Sequence, residues 1–182
     1  MRVVGGELGG RRLLAPRGWR VRPTSERVRE AIFSALGDIS GARVLDLYCG
    51  TGALAIEALS RGADSAVLVD HDARPAFGNV ENLGLRDRVE LVRADAMDWL
   101  SRATKDEERG RSFDLIFLDA PYRLAQRVGP ELDSHLPRLL AGGGRIVIES
   151  PARGPLRLTS LDSLRDRRYG GTQVTFYGAG EP

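Results

Sequence analysis

An acid, a backbone carbonyl followed by a proline, and an aromatic ring occupy consecutive positions at Asp119-Ala120-Pro121-Tyr122, directly after the apolar run Leu115-Ile116-Phe117-Leu118. These are the parts needed to hold a planar amine and alkylate it: two acceptors for its N–H bonds and a face for the ring that carries it. The apolar run reads as a buried strand, so the four residues fall where a strand ends. A second motif, Asp46-Leu47-Tyr48-Cys49-Gly50-Thr51-Gly52, stands about 70 residues earlier at the end of another apolar strand. Together the two motifs point to methyl transfer.

The elements that must position them follow from periodicity. From Ala42 onward strand-like and helix-like segments alternate. Arg43 to Tyr48 reads as a strand, Ala53 to Arg61 as a helix, Ala66 to Asp70 as a strand and Ala73 to Leu83 as a helix. The strand Val89 to Arg93 comes next, then a short helix near Met97 to Leu100 and a polar loop from Ser101 to Ser112. The strand Asp114 to Leu118, a helix within Ala125 to Leu140 and the strand Arg145 to Glu149 complete the series. Such alternation implies a mostly parallel sheet covered by helices on both faces. Leu164 to Arg168 and Thr172 to Tyr177, around Gly170-Gly171, suggest a terminal antiparallel hairpin. Before this core, residues 1 to about 24 read as a small hairpin-bearing extension punctuated by Gly5-Gly6, Gly9-Gly10, Pro16, Gly18 and Pro23. Thr24 or Ser25 can cap a helix from about Glu26 to Leu36.

A chain of 182 residues can bury one good core with a small appendage. Hydrophobic content of 42% and charged content of 29% are ordinary for a globular protein. No apolar run approaches the ~20 residues of a membrane span, and the N-terminus lacks a signal peptide's apolar stretch, so a cytoplasmic location is expected. The single cysteine, Cys49, excludes an internal disulfide; the two histidines, His71 and His135, lie far apart and give no metal-ligand spacing. The net charge of +2 is unevenly placed. Residues 1 to 30 carry eight arginines against three acids, a balance of +5 that leaves the remainder near −3. A concentrated basic segment is the footprint of phosphate-backbone binding; its plain competitor is a solvated arginine-rich surface.

In open α/β sheets a ligand lies at the carboxyl ends of the strands, near the point where strand order reverses. The first strand ends in the glycines of Gly50-Thr51-Gly52, which let backbone approach a cofactor closely. No third glycine follows, so the dinucleotide fingerprint is incomplete and a ligand without a pyrophosphate fits better. Asp70 ends the second strand 18 residues after Gly52, where a carboxylate can accept from both ribose hydroxyls. Asp95 follows the third and is placed to accept from an adenine amine. Carboxylates after three successive strands match an adenosine bearing a cationic amino-acid tail, S-adenosylmethionine. Each also has a structural reading: Asp46 can cap the glycine turn, and Asp70 and Asp95 the helices that follow. His71 stands near the ribose or is a solvated loop residue, and Asn82 orients either its own turn or a cofactor loop. Cys49 reads as a small buried residue in that loop rather than a nucleophile. Trp19 and Trp99 read as packing residues, although Trp19 among arginines is also placed to contact RNA.

The core resembles the class I S-adenosylmethionine-dependent methyltransferases, and nearly the whole chain is similar to the RsmD family, which methylates the exocyclic amine of a guanine in 16S ribosomal RNA. The resemblance rests on Gly5-Gly6, Arg22-Pro23-Thr24, Arg27-Val28-Arg29-Glu30, Gly50-Thr51-Gly52-Ala53-Leu54, the run Glu57 to Ala63 and Asn82, besides the Asp119 motif. It implies a Rossmann-like α/β fold with a seven-stranded, mostly parallel sheet, a C-terminal antiparallel hairpin and a small basic N-terminal extension. A division follows into an RNA-contacting part, 1–36, and a cofactor-binding part, 37–182. Asp119, Ala120, Pro121 and Tyr122 are then the catalytic set. Asp46, Tyr48, Gly50, Gly52, Asp70, His71, Asp95, Ala96 and Thr24 hold S-adenosylmethionine, and Arg11, Arg12, Arg22, Arg27 and Arg29 contact RNA. The family usually carries two prolines after the acid, whereas here the first is Ala120. The clamp needs the carbonyl at that position and not the ring, and Pro121 still keeps Ala120 out of the helical region.

The implied partner is 16S ribosomal RNA, within an assembling or assembled small subunit, and the implied state is a monomer. Two other functions use related parts. Methylation of a DNA base amine or a protein glutamine employs the same acid-x-Pro-aromatic device, but the small extension leaves no separate target-recognition domain for DNA. A catalytically silent RNA-binding assembly factor would keep the fold without needing the intact carboxylate set.

Overall fold

The computed structural model describes residues 1–15, 24–106 and 110–178, with the side chains of residues 122–126 outside that description. Seven strands form one sheet: β1 (Arg43–Leu47), β2 (Ser65–Asp70), β3 (Val89–Arg93), β4 (Phe113–Leu118), β5 (Leu140–Pro151), β6 (Asp162–Tyr169) and β7 (Thr172–Gly178). Five helices accompany them: α1 (Glu26–Leu36), α2 (Ala53–Ser60), α3 (Arg74–Leu83), α4 (Ala96–Ala103) and α5 (Tyr122–Leu139). The strand order is β3-β2-β1-β4-β5-β7-β6. β1 pairs parallel with both β2 and β4, so the order reverses at β1 and opens a crevice there. β7 runs antiparallel between β5 and β6, which is the terminal hairpin expected from Gly170-Gly171.

The central strands are apolar on both faces because helices cover both. Their pleat sends alternate residues to opposite cores. Val44, Leu115, Phe117 and Val147 join α1, α2 and α3 in one cluster with Val28, Ile32, Phe33, Ile56, Leu59 and Val80. Leu45, Leu47, Ile116, Leu118, Ile146 and Ile148 join α4 and α5 in the other, with Trp99, Leu100, Leu132 and Leu136. By the same alternation, Asp46, Asp119 and Glu149 belong to the α1–α3 face. Trp99 packs against Phe113, with ring centroids 6.5 Å apart.

Three expected boundaries moved. β5 begins at Leu140 rather than Arg145, because Leu140 pairs with Phe113 and the strand rejoins β4 at Arg145, opposite Leu115; the glycines 142–144 between them take up the register shift, with Gly143 at φ +74°. α4 extends to Ala103, into the expected polar loop, where Thr104 Oγ1 donates 2.9 Å to the Leu100 carbonyl and closes the last turn. α5 starts at Tyr122, the last residue of the motif, and not near Ala125.

The first 15 residues are stitched to the core. Val3 and Leu13 are buried in the α1–α3 cluster, and an antiparallel bridge joins Arg2 to Arg12. Glu57 of α2, fully buried, accepts from Val4 N at 2.7 Å, Gly5 N at 2.8 Å and Arg61 Nε at 2.8 Å. Gly6 has φ +75° and lies so close to α2 that a Cβ would sit 1.8 Å from the Ser60 carbonyl oxygen. Farther along, Asn79 of α3 accepts from Leu14 N at 2.7 Å and donates to the carbonyls of Leu14 and Thr51, each at 3.0 Å.

Candidate active site

β1 and β4 are in register, with Leu47 opposite Leu118, so the glycine loop and the Asp119 motif leave the sheet side by side. Tyr48 takes φ +59°, the left-handed region that a non-glycine residue enters at a cost, and turns the chain sharply away from β1. Gly50 and Gly52 follow at φ +55° and +75°; at Gly52 a Cβ would stand 2.9 Å from Leu68 Cδ2, so the loop packs onto β2 only with glycine there.

The loop's carboxylates are engaged by backbone amides. Asp46, buried, accepts from Ala55 N at 3.1 Å and thereby fixes the first turn of α2. Burial pushes its carboxyl up to about 7, against the Ala55 bond and with a smaller push from Asp70. Asp70 accepts from Gly50 N at 2.9 Å through Oδ2 and from Asp72 N at 2.9 Å through Oδ1, so it holds the glycine loop in place. His71 is exposed, with Nδ1 3.0 Å from Asp70 Oδ1. Asp95, exposed, caps α4 through Oδ1, which accepts from Met97 N at 2.9 Å and Asp98 N at 3.2 Å; Ala96, buried, opens that helix. Asp95 thus caps its helix as its structural reading has it, whereas Asp46 holds α2 and it is Asp70 that holds the glycine turn; each carboxylate keeps lone pairs for further donors.

The polar groups here suit a polar ligand. Among the described residues the Tyr48 hydroxyl is buried with no hydrogen-bond partner, and burial first, then the charges of Asp95, Asp70 and Glu131, push it up to about 12. A buried hydroxyl kept neutral and unpartnered beside acceptor carboxylates suits a ligand that brings donors and acceptors of its own. The donor set fits S-adenosylmethionine: acceptors for ribose, adenine and ammonium groups, and anionic surroundings for a sulfonium. Cys49 is buried, and burial raises its thiol well above the usual range, so it stays neutral.

On the other side of the crevice, Asp119 ends β4, Ala120 is buried, and Pro121 is exposed with φ −51° and ψ 129° before α5. Tyr122 is the first residue of α5; its side chain lies outside the described residues. Burial and the charge of Glu149 hold the Asp119 carboxyl well above the usual carboxylate range, partly offset by a hydrogen bond from Thr24. Thr24, buried just before α1, places Oγ1 2.7 Å from Glu149 Oε2 and 3.1 Å from Asp119 Oδ2. Thr24 therefore faces the Asp119 motif, not the glycine loop.

The basic segment divides. Arg11, Arg12 and Arg27 are exposed, and Arg11 reaches the Asn82 carbonyl at 3.5 Å. Arg29 does not belong with them. It has no exposed surface; its guanidinium donates to the Thr24 carbonyl at 2.9 Å and to the Arg2 carbonyl, which leaves it out of reach of any phosphate. The sequence carried the signal for this, because Arg29, Ile32, Phe33 and Leu36 stand at i, i+3, i+4 and i+7 on the buried stripe of α1. Arg22 and Trp19 lie outside the described residues. Glu149 and Asn79 were not singled out from the sequence; only the strand order brings the first beside Asp119 and only the packed extension reveals the second.

A family model described as conserved hypothetical protein 95 matches residues 1–178. YlbH of Bacillus subtilis is 37% identical over 186 residues, covering 97% of this chain and 98% of that protein. Ribosomal RNA small subunit methyltransferase D of Escherichia coli K12 is 35% identical over 126 residues, 68% of this chain and 61% of that protein. The solved structure of yhhF from Escherichia coli superposes with a TM-score of 0.79 at 30% identity, covering 97% of this chain and 96% of that one. An RNA methyltransferase from Salinibacter ruber, solved with S-adenosyl-L-homocysteine, shares the fold at a TM-score of 0.63 and 21% identity, over 88% of this chain and 96% of that one. A match over all but the last residues, a glycine loop held by Asp70 and an acid motif in register beside it make this chain a member of the RsmD family, the methyltransferase family whose model bears the description conserved hypothetical protein 95.

Proposed function

We propose that the protein transfers a methyl group from S-adenosylmethionine to the exocyclic amine, N2, of a guanine in 16S ribosomal RNA. The observation that carries this reading is the register of β1 and β4, which sets the cofactor loop and the Asp119 motif side by side at the carboxyl edge of the sheet. Membership of the family supports the choice of substrate, and the exposed Arg11, Arg12 and Arg27 supply cations for the RNA backbone.

Bound S-adenosylmethionine supplies an electrophilic methyl on a sulfonium. Asp46, Asp70 and Asp95 receive its polar groups, with Tyr48, Gly50, Gly52, His71 and Ala96 around it. An exocyclic amine on guanine is a weak nucleophile because its lone pair is delocalised into the ring. Asp119 and the Ala120 carbonyl each accept one N–H, which draws the nitrogen towards a tetrahedral arrangement and aims its lone pair out of the ring plane. The raised proton affinity of Asp119 suits it to take the proton that the alkylated nitrogen sheds. Tyr122 stacks on the extruded base, a contact worth roughly 1–3 kcal/mol. The chain acts as a monomer in the cytoplasm on RNA within an assembling or assembled small subunit, with residues 1–36 as the RNA-contacting part.

The test is incubation with tritiated S-adenosylmethionine and, separately, bare 16S RNA, small subunits, DNA and protein, followed by mass mapping of the labelled nucleotide. Label on a guanine N2 of 16S RNA is expected. Absence of transfer to either ribosomal substrate would overturn the reading, and transfer to DNA or protein alone would replace it.

A further inference from the structure

Arg29 is a charged side chain without exposed surface that the proposed chemistry leaves unused. It belongs to α1, and its guanidinium reaches back past the N-cap Ser25, in the direction helical side chains lean, to donate through Nη1 to the Thr24 carbonyl at 2.9 Å. Thr24 stands just outside the helix. The ladder of α1 begins at the Ser25 carbonyl, which accepts from Arg29 N at 2.9 Å, so the Arg29 side chain supplies Thr24 with a donor that the helix backbone does not. Through Nη2 the same guanidinium donates to the Arg2 carbonyl. Arg2 is itself fixed: its N–H donates to Glu26 Oε1 at 2.9 Å, and it bridges to Arg12 in the packed extension.

The side chain of Thr24 carries this backbone anchor to an acid. Its Oγ1 lies 3.1 Å from Asp119 Oδ2 and 2.7 Å from Glu149 Oε2. Whichever acid receives the hydrogen, both contacts need Thr24 to stand against β4 and β5, and a displacement of ~1 Å away from them would carry each beyond hydrogen-bond length. A held Oδ2 sets the plane of the Asp119 carboxyl, and with it the direction of Oδ1.

We propose that Arg29 is a positioning residue: its planar fork, anchored on the Arg2 carbonyl, fixes the backbone of Thr24 so that the Thr24 hydroxyl orients the Asp119 carboxyl towards the substrate amine. The purpose of that orientation rests on the proposed function; the chain of contacts from Arg29 to Asp119 does not.

The residue type agrees with this role. A guanidinium presents its N–H donors in one rigid plane and meets carbonyls from two separate segments at once, a geometry that the compact ammonium of lysine does not reproduce. Burial of the charge has a cost, since desolvation lowers the Arg29 pKa, with Glu57 and Glu26 acting against it. An aliphatic side chain would fill the stripe beside Ile32 and Phe33 without that cost, so packing alone does not account for an arginine here.

The experiment is a double-mutant cycle on the full chain with two readouts: the carbon-13 shift of the Asp119 carboxyl at fixed pH without cofactor or RNA, and turnover on 16S RNA. Thr24→Val, which keeps the shape and removes the hydroxyl, should move the Asp119 signal and lower kcat about tenfold or more. KM for S-adenosylmethionine should stay within about twofold of wild type, and Thr24→Ser should recover most of the loss in kcat. Arg29→Met should move the Asp119 signal in the same direction and lower kcat, but in the Thr24→Val background it should add less than about twofold. Arg29→Lys, which keeps the charge without the fork, should shift the signal as Arg29→Met does, and it decides the matter if Arg29→Met does not fold. Full additivity of the two changes, an Asp119 signal unmoved by Thr24→Val, or a wild-type signal in Arg29→Lys would overturn the proposal. The expected carboxyl shifts without any methyl transfer would count against the proposed function alone.

Discussion

The carboxylates on the two sides of the crevice are held by different means. Asp46 and Asp70 bind backbone amides of Ala55, Gly50 and Asp72, donors that cannot titrate and cannot leave. Asp119 and Glu149 both reach the hydroxyl of Thr24, a donor that can turn to only one of them at a time. Fixed dipoles suit the side that must offer the same shape to a cofactor at each turnover. A side-chain donor that can turn suits the side where an amine must be received. The same residue type thus serves as scaffold in one half and as chemistry in the other, and the difference lies in the partner.

The comparison can be broken most severely at Asp119. Asp119→Ala should lower kcat by about 10²–10³, the range found when one transition-state hydrogen-bond partner is removed, with the melting temperature close to wild type; single-turnover transfer to 16S RNA measures it. Near-normal turnover would mean that the acid is scaffold as well. Asp70→Ala should act in the opposite category. It frees the Gly50 and Asp72 amides, so cofactor affinity by calorimetry should fall about tenfold or more and stability by about 1–3 kcal/mol, with both losses absent if the loop is rigid without it.

Two smaller effects sharpen the contrast. Replacing Arg11 and Arg12 together by alanine should weaken RNA binding several-fold and flatten its dependence on salt, leaving cofactor affinity unchanged; a salt slope equal to wild type would detach the extension from RNA. Asp46 then tests the fixed side by pH. Its carboxyl is raised in the folded chain to about 7, so its contribution to stability is fully present below the unfolded value near 4 and is lost as pH rises through about 7. Asp46→Asn should remove that decline, and the variant's stability relative to wild type should increase between pH 5 and pH 8 by on the order of a few kcal/mol. Denaturant melts at the two pH values measure this, and parallel changes in both proteins would contradict the burial-driven shift.

Much of the sheet was legible because its cues are local. β1, β2 and β4 are short apolar runs, with an acid at or just past the end of β2 and β4, and α1 has a serine cap and one apolar face, so spacing alone delimits them. The glycine loop and the Asp119 motif were legible for the same reason: each follows a strand. The start of β5 was not, since glycines 142–144 carry no side chains to alternate and only the pairing of Leu140 with Phe113, across the register shift they take up, carries the strand back that far. Arg29 was misplaced by its charge although its spacing was that of the core. Glu149 needed the strand order, because an acid within β5 gains meaning only from the strand beside it.

Asn79 deserves a last consequence. One side-chain amide grips Leu14 of the extension through both its hydrogen-bonding ends and at the same time holds the Thr51 carbonyl of the glycine loop. A segment beside the basic residues and a segment beside the cofactor therefore share a single rigid joint. Ordering one of the two segments lowers the entropy cost of ordering the other.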